Sequence, residues 1–106
     1  MINFEDFEKV DLRIGKILTA EKVEESEKLV KMEVDFGEEK RQVIAGIGKA
    51  YYSEELIGKR AVFVVNLEPR IMMGLESQAM ILAVKDIDNM SILIPEKEIL
   101  PGSKIS

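Results

Sequence analysis

The stretch VFVVNLEPRIMMGLESQAMILAV, residues Val62–Val84, places two apolar segments on either side of a polar connection. The small and β-branched side chains of both segments are typical of strands buried on two faces. Within the connection, Pro69 restricts the backbone and Gly74 permits angles that other residues avoid. The sequence therefore predicts a loop of defined shape at one rim of a sheet or barrel.

The connection carries a set of polar residues that could bind a ligand. Asn66 and Ser77 stand at its two ends, where each side chain can either bond to the loop backbone or face a ligand. Arg70 differs from them, since its fixed charge and planar fork suit phosphate or stacked bases. The alternative for Arg70 is a surface ion pair with Glu68.

Outward from this stretch, apolar periodicity predicts mainly strands. The predicted strands are Asp11–Val23, Leu29–Phe36, Lys40–Ala45, Lys59–Asn66, Ser77–Val84 and Ser91–Ile94. A shift in apolar phase at Gly15 predicts a β-bulge in the first of them. Between the third and fourth strands, Ser53 is expected to cap a helix of about two turns that ends at Gly58. A helical turn over Phe4–Val10 is expected to cover one end of a barrel.

Three strands, a short helix and two more strands are the order of the five-stranded OB-fold barrel. We therefore expect an all-β protein, with residues 1–106 forming one domain and short extra elements at the termini. An SH3-like barrel is the main alternative, although it usually lacks the helix between strands.

Composition argues against most enzyme mechanisms. The chain has no cysteine and no histidine, which removes thiolate catalysis, disulfides and the commonest metal ligands. We expect no cofactor, no metal and no catalytic residue. A small enzyme acting through carboxylates such as Asp35 with Glu38 or Glu39 is the weakest alternative, because these residues lie at a predicted turn.

The termini and the apolar runs predict a cytoplasmic protein without a membrane segment. The longest apolar run, Ala79–Val84, has six residues, whereas a helical span needs about 20. The acidic amino terminus is unlike a secretory signal. Because the chain starts at Met1 and ends soon after its last motif, we expect a free-standing protein.

The net charge of −5 disfavours long-range attraction to a polyanion. Binding of nucleic acid would then require cations concentrated on one face, within a Debye length of about 8 Å.

Two apparent ligand-binding motifs in the sequence are incomplete. Gly46-Ile47-Gly48 lacks the third glycine of a dinucleotide loop, and the segment from Asp86 lacks the later ligands of a calcium loop.

Four motifs in order cover nearly the whole chain and resemble the tRNA-binding domain family. They are VDLRIGKI at Val10–Ile17, EKLVKMEVDFGEEKRQVIAGI at Glu27–Ile47, YYSEELIGK at Tyr51–Lys59 and NLEPRIMMGLESQAMILA at Asn66–Ala83. That family is similar to the carboxy-terminal extension of many bacterial methionyl-tRNA synthetases and to free-standing dimeric tRNA-binding proteins. The resemblance implies an OB-fold barrel that recognises tRNA by its shape.

The resemblance also implies a set of binding residues. The family signature falls on Asn66, Arg70, Ser77 and Met80, with Lys28 and Arg13 as further candidates from two other motifs. Arg41 is added because it lies on the predicted hairpin. In this reading the amide and hydroxyl bond to RNA, the cations meet phosphates and Met80 offers an apolar platform. The hypothesis requires Arg13, Lys28 and Arg70 to surround one crevice beneath Pro69.

The implied role is that of a non-catalytic tRNA-binding protein that assists an aminoacyl-tRNA synthetase in trans, with methionyl-tRNA synthetase as the favoured partner. The resemblance further implies a homodimer, joined through terminal segments that include Ile99–Ile105, which would present two RNA-binding faces. A chaperone-like branch of the family gives the alternative, a module that presents Met72 and Met73 to unfolded protein.

Overall fold

A computed structural model describes all 106 residues and contains two short helices and nine strands. The elements are α1 (Phe4–Glu8), β1 (Leu12–Lys22), β2 (Val30–Asp35), β3 (Lys40–Ala45), α2 (Ser53–Leu56), β4 (Arg60–Val64), β5 (Arg70–Met72), β6 (Leu75–Ser77), β7 (Met80–Ile81), β8 (Ala83–Lys85) and β9 (Met90–Ile92). None of the helices has the length and apolarity needed to cross a membrane.

The main sheet has five antiparallel strands in the order β3-β2-β1-β4-β7, which confirms the predicted all-β, OB-like barrel. β2 shows why its sequence pattern predicts a strand. Its residues alternate between buried and less buried positions along the strand, as expected where one face meets a core. Phe63, Ile17 and Met32 are among the fully buried side chains at the centre.

The predicted bulge in β1 lies at a different place. The register against β2 shifts between Ile17 and Thr19, and not at Gly15. Gly15 instead marks a close approach, because a Cβ there would lie 2.5 Å from Val34 Cγ1 and 2.6 Å from the Phe36 ring. Ile14 produces the apparent phase shift, since it is buried but lies outside the main core cluster.

The carboxy-terminal tail is bound along the edge of β1. Its backbone bonds run from Gly102 N to Ile14 O at 2.7 Å, from Ile14 N to Ser103 O at 3.0 Å and from Ile105 N to Leu12 O at 2.9 Å. The tail therefore acts as an added strand beside the start of β1, although it contains Pro101 and Gly102, which are typical of irregular chain.

The two helices differ from their predictions in detail. α2 is a single turn whose N-cap is Tyr52 and not Ser53, and its Leu56 is fully buried. Gly58, with φ of 89°, follows the helix as predicted. α1 forms near the expected position, but none of its residues is buried. The prediction that this segment covers a barrel end is therefore wrong.

The barrel closes between β3 and the segment Glu76–Ala79 through a mixture of backbone and side-chain bonds. Gln78 N donates to Gln42 O at 2.8 Å, and Gln42 N donates to the side-chain oxygen of Gln78 at 3.0 Å. Ile44 N donates to Ser77 Oγ at 2.9 Å. These side chains lie where a neighbouring strand would otherwise supply backbone partners. The N–H groups of Gln42 and Ile44 on the edge of β3 therefore have hydrogen-bond acceptors.

Candidate functional site

The predicted loop between the two apolar segments is a β-hairpin. β5 and β6 pair from Arg70 with Ser77 to Met72 with Leu75. The turn residues Met73 and Gly74 both have positive φ, 49° and 79°, as the two-residue turns favoured in hairpins require. The sequence predicts a loop here and not a hairpin, because Pro69 and Gly74 are typical of loops. The single strand predicted over Ser77–Val84 is correspondingly divided among β6, β7 and β8.

The hairpin forms one wall of a cavity of about 270 Å³, which we call the apolar groove. Ten of its fourteen lining residues are hydrophobic, and they come from the end of β3, from the hairpin and from β7 to β9. The lining residues are Ile44, Ala45, Gly46, Ile47, Leu67, Glu68, Arg70, Met72, Ser77, Ala79, Met80, Ile81, Ala83 and Met90. Three predicted site residues, Arg70, Ser77 and Met80, therefore share one groove.

Arg70 is the arginine whose charge is free. Its side chain is exposed and makes neither an ion pair nor a hydrogen bond, so the alternative pair with Glu68 does not form. The other three arginines are all paired: Arg13 with Asp11, Arg41 with Glu39 and Arg60 with Glu98. A free guanidinium beside an apolar groove is suited to an anionic ligand that also has an apolar part.

Ser77 has a structural function in this groove. Its hydroxyl accepts the Ile44 N–H at 2.9 Å and donates to the Ala79 carbonyl oxygen at 2.9 Å, and the residue is 5% exposed. The hydroxyl hydrogen is bonded to Ala79 and is therefore not available to a ligand. Met80 is available, since its exposed fraction is 42%.

Replacing Ser77 with alanine should lower the stability of the barrel. The Ile44 amide would lose its partner in a buried place, and an unsatisfied buried donor costs about 1–2 kcal/mol. Urea unfolding of Ser77→Ala compared with Ser91→Ala, an exposed serine in β9, measures the difference. Equal stability of the two variants would contradict the structural role of Ser77.

Asn66 also serves the fold. Its side-chain oxygen accepts the Asp11 N–H at 2.8 Å, and its side-chain nitrogen donates to the Lys9 carbonyl oxygen at 2.6 Å. These bonds join the end of β4 to the chain that connects α1 to β1. The predicted bond to the loop's own backbone is therefore not what the structure shows, since Asn66 bonds to the segment before β1 and Ser77 bonds to β3.

Arg13 and Arg41 line a second cavity, of about 660 Å³, which we call the charged groove. Arg41 donates to the Val65 and Gln78 carbonyl oxygens at 2.6 and 3.1 Å, and its guanidinium lies 5.9 Å from the Phe36 ring centre. Arg13 donates to Asp11 and to the Gly102 carbonyl oxygen. Both cations hold parts of the barrel together and have carboxylate partners.

Lys28 lines neither groove, although it is exposed and forms no ion pair. The structure thus does not bring Arg13, Lys28 and Arg70 around one crevice, and the arrangement that the sequence hypothesis requires is not met. Contact with RNA stays a prediction for all seven candidate residues. The geometry favours Arg70 and Met80, because their side chains are exposed, make no side-chain hydrogen bond or ion pair and line the apolar groove.

The Asp11–Arg13 pair gives a pH dependence of stability. The hydrogen bond from Arg13 holds the pKa of Asp11 below its ordinary value of 3.8, against the opposing effect of burial. Because folding lowers this pKa, the pair stabilises the fold above pH 3.8 and loses that effect as the pH falls through the lowered value. Asp11→Asn should therefore be less stable than the parent at pH 7 and equal to it in strong acid.

Unfolding midpoints in urea over a pH series check this expectation. Glu24→Gln serves as the control, because Glu24 is exposed and has no ion-pair partner. A stability difference for Asp11→Asn that stays constant down to pH 2 would contradict the ion-pair explanation.

Several residues of the apolar groove gave no functional signal in the sequence. Ile44 belongs to an apolar run typical of a core, whereas Ile47 stands between glycines and Met90 between polar residues. The position of β3 opposite the hairpin exposes part of this apolar surface to a cavity. That placement depends on tertiary structure, which the local pattern does not specify.

Known proteins resemble this chain along its whole length. A domain family described as "Putative tRNA binding domain" matches residues 12–104. Methionine–tRNA ligase of Caldanaerobacter subterraneus subsp. tengcongensis is 55% identical over 105 residues, which are 99% of this chain and 16% of that enzyme. The chain therefore spans about a sixth of the length of this curated relative.

Two solved structures share the fold at high similarity. A MetRS-related protein from Pyrococcus horikoshii superposes with a TM-score of 0.94 at 34% identity, covering 100% of this chain and 98% of that one. The chaperone CsaA from Bacillus anthracis superposes with a TM-score of 0.89 at 40% identity, covering 100% and 99%. From the family match and these relatives, the chain belongs to the tRNA-binding domain family.

Proposed function

We propose that this protein binds tRNA without catalysing a reaction and assists an aminoacyl-tRNA synthetase, methionyl-tRNA synthetase above all, in trans in the cytoplasm. Membership of the tRNA-binding domain family supports RNA as the ligand. The observation that carries the proposal is Arg70, the free guanidinium beside the apolar groove. The relation to methionine–tRNA ligases supports the choice of synthetase.

Shape recognition is consistent with the charges of this protein. The net charge is −5 and three of the four arginines are paired, so Arg70 is the one arginine whose guanidinium is free for a phosphate. Each module would then bind with modest affinity through a small number of contacts. Recognition of the folded tRNA through shape, ribose hydroxyls and a few phosphates fits such a surface better than a broad electrostatic one.

Homodimerisation would raise the affinity by presenting two faces to one tRNA. The exposed apolar residues Ile2, Phe4 and Leu100 support a contact through the termini. The backbone of the tail is largely bound within its own chain, so we place the contact on side chains of α1 and of the tail. Sedimentation at micromolar concentration tests this step, and a mass of one chain would contradict it.

A salt titration of tRNA binding tests the proposed function. If Arg70 and a few lysines meet phosphates, the logarithm of the affinity should fall linearly with the logarithm of the salt concentration. Each phosphate contact contributes a slope of about −0.9 on duplex nucleic acid. An affinity for tRNA that does not change with salt would contradict phosphate contacts, and absence of binding at low salt would overturn the proposal.

A chaperone-like role is the second candidate. The similarity to two structures of CsaA chaperones and the exposed side chains of Ile71 and Met73 on the hairpin favour it. Met72, predicted together with Met73, is only partly exposed and lines the apolar groove. Such a protein should suppress aggregation of an unfolded substrate equally well with and without excess tRNA. Loss of suppression when tRNA is added would instead indicate that tRNA and the unfolded substrate compete for the protein.

A further inference from the structure

The apolar groove is poorly suited to double-stranded RNA. A-form helices present phosphates and 2′-hydroxyls over a wide, shallow minor groove, and their bases are stacked inside. The groove offers mainly hydrophobic surface, and its buried hydroxyl, on Ser77, is already bonded to the backbone. A volume of about 270 Å³ lies just below the about 300 Å³ at which sites for drug-sized ligands begin. The groove therefore fits one small ring system better than a helix.

A basic groove adjoins the apolar groove. The two cavities share Gly46 and Met90, and the second is also lined by Lys49 and Lys85. Lys85 has no ion-pair partner, and Lys49 has only Glu27 at 3.9 Å, with side chains 72% and 90% exposed. Such an exposed pair contributes little and can separate when a ligand binds.

Cations line both of these grooves. Arg70 lines the apolar groove itself, and Lys49 and Lys85 lie in the groove next to it. The carboxylates in these two grooves are Glu68 and Asp88, fewer than the three cations. An apolar lining with cations in the same groove and in the next one complements a single strand of RNA, in which a base is flanked by two phosphates.

We infer that the two grooves form a site for an unpaired segment of RNA, with one base in the apolar groove and flanking phosphates at Arg70 and at Lys49 and Lys85. This inference rests on the proposed function and specifies which part of a tRNA is bound, a loop or an end and not a stem. An apolar peptide side chain would also fit the groove. The surplus of cations favours the polyanion.

Competition against labelled tRNA tests the site, with fluorescence anisotropy as the measurement. One competitor is an unstructured oligonucleotide of about ten residues, within the range of about 4–16 nucleotides bound per OB fold. The other is a duplex RNA in which each strand has the same number of nucleotides as that oligonucleotide. The single strand should displace tRNA at a concentration at least about tenfold lower than the duplex.

Two variants locate the single strand. Ala83→Leu places a larger side chain in the apolar groove at an exposed position of β8 and should weaken oligonucleotide binding roughly tenfold. Lys85→Met should weaken it several-fold and reduce its salt dependence. Lys97→Met, which removes an exposed charge that lines a different cavity, should leave binding unchanged.

The outcomes separate this inference from the proposed function. If tRNA binds but the duplex competes as well as the single strand, the inference is overturned and the proposed function stands. If the single strand binds and tRNA does not, the site is supported and the tRNA assignment fails. If an unfolded peptide binds in a manner sensitive to Ala83→Leu while the oligonucleotide does not bind, the groove belongs to protein and the inference is overturned.

Discussion

Gly102→Ala should lower the stability of this protein by about 3–4 kcal/mol. Gly102 has a φ of 89°, where a side chain costs about 1–3 kcal/mol. A Cβ there would also overlap the carbonyl oxygen of Phe36, which is backbone and cannot rotate away. If the tail leaves β1 to relieve this overlap, the strain is replaced by the loss of its three backbone bonds to β1, at about 0.5–1.5 kcal/mol each.

Gly58→Ala is a matched control. Gly58 has the same φ of 89°, but a Cβ at this position would meet nothing within 4 Å. Gly58→Ala should therefore lower the free energy of unfolding only through the unfavourable backbone conformation, by about 1 kcal/mol. Urea unfolding of both variants measures the difference, and hydrogen exchange at Ile14 and Ile105 reports whether the tail has detached. Equal losses in the two variants would contradict the steric explanation.

The barrel itself could be predicted from the sequence because its strands are buried on one side. Val30, Met32 and Val34 alternate with polar residues, and all three are fully or almost fully buried. Such alternation reflects local geometry, in which successive side chains point to opposite faces. The order of the strands and the helix then restricted the fold to a few architectures.

The role of the tail could not be predicted in this way. Pro101 and Gly102 are typical of irregular chain, and the partners of the tail are Leu12 and Ile14, some ninety positions away. Bonds between such distant segments depend on how the barrel curves. No local pattern around Gly102 specifies them.

Three of the seven predicted site residues, Arg70, Ser77 and Met80, line the apolar groove, but the bonds of the polar residues could not be predicted. The polar residues Asn66, Ser77 and Arg41 all bond to distant backbone groups, because the edges of β-strands leave amides and carbonyls that need partners. A sequence shows that a side chain can form hydrogen bonds, but not which group takes them. Arg70 could be distinguished from the other arginines only after their partners were known.

Arg70→Ala should weaken tRNA binding roughly 10- to 100-fold while leaving the fold intact. Hydrogen bonds to charged groups are worth about 1.5–3 kcal/mol, and the free Arg70 guanidinium can donate two parallel hydrogen bonds to a phosphate. Because the exposed side chain has no partner in the protein, its loss should change stability by less than about 0.5 kcal/mol. The salt slope of binding should fall in magnitude by about one.

Arg60→Ala is the matched control for this charge. It removes an arginine that is paired with Glu98 at 3.1 Å and donates to the Ile99 carbonyl oxygen at 2.8 Å, so it should lower stability and leave the affinity for tRNA within a factor of two or so. Arg70→Lys separates charge from geometry, since lysine keeps the charge but lacks the planar fork. If Arg70→Ala and Arg60→Ala weakened tRNA binding equally, net charge and not a defined contact would explain the affinity. Loss of binding in Arg70→Ala with only partial recovery in Arg70→Lys would place the guanidinium itself against a phosphate of the bound RNA.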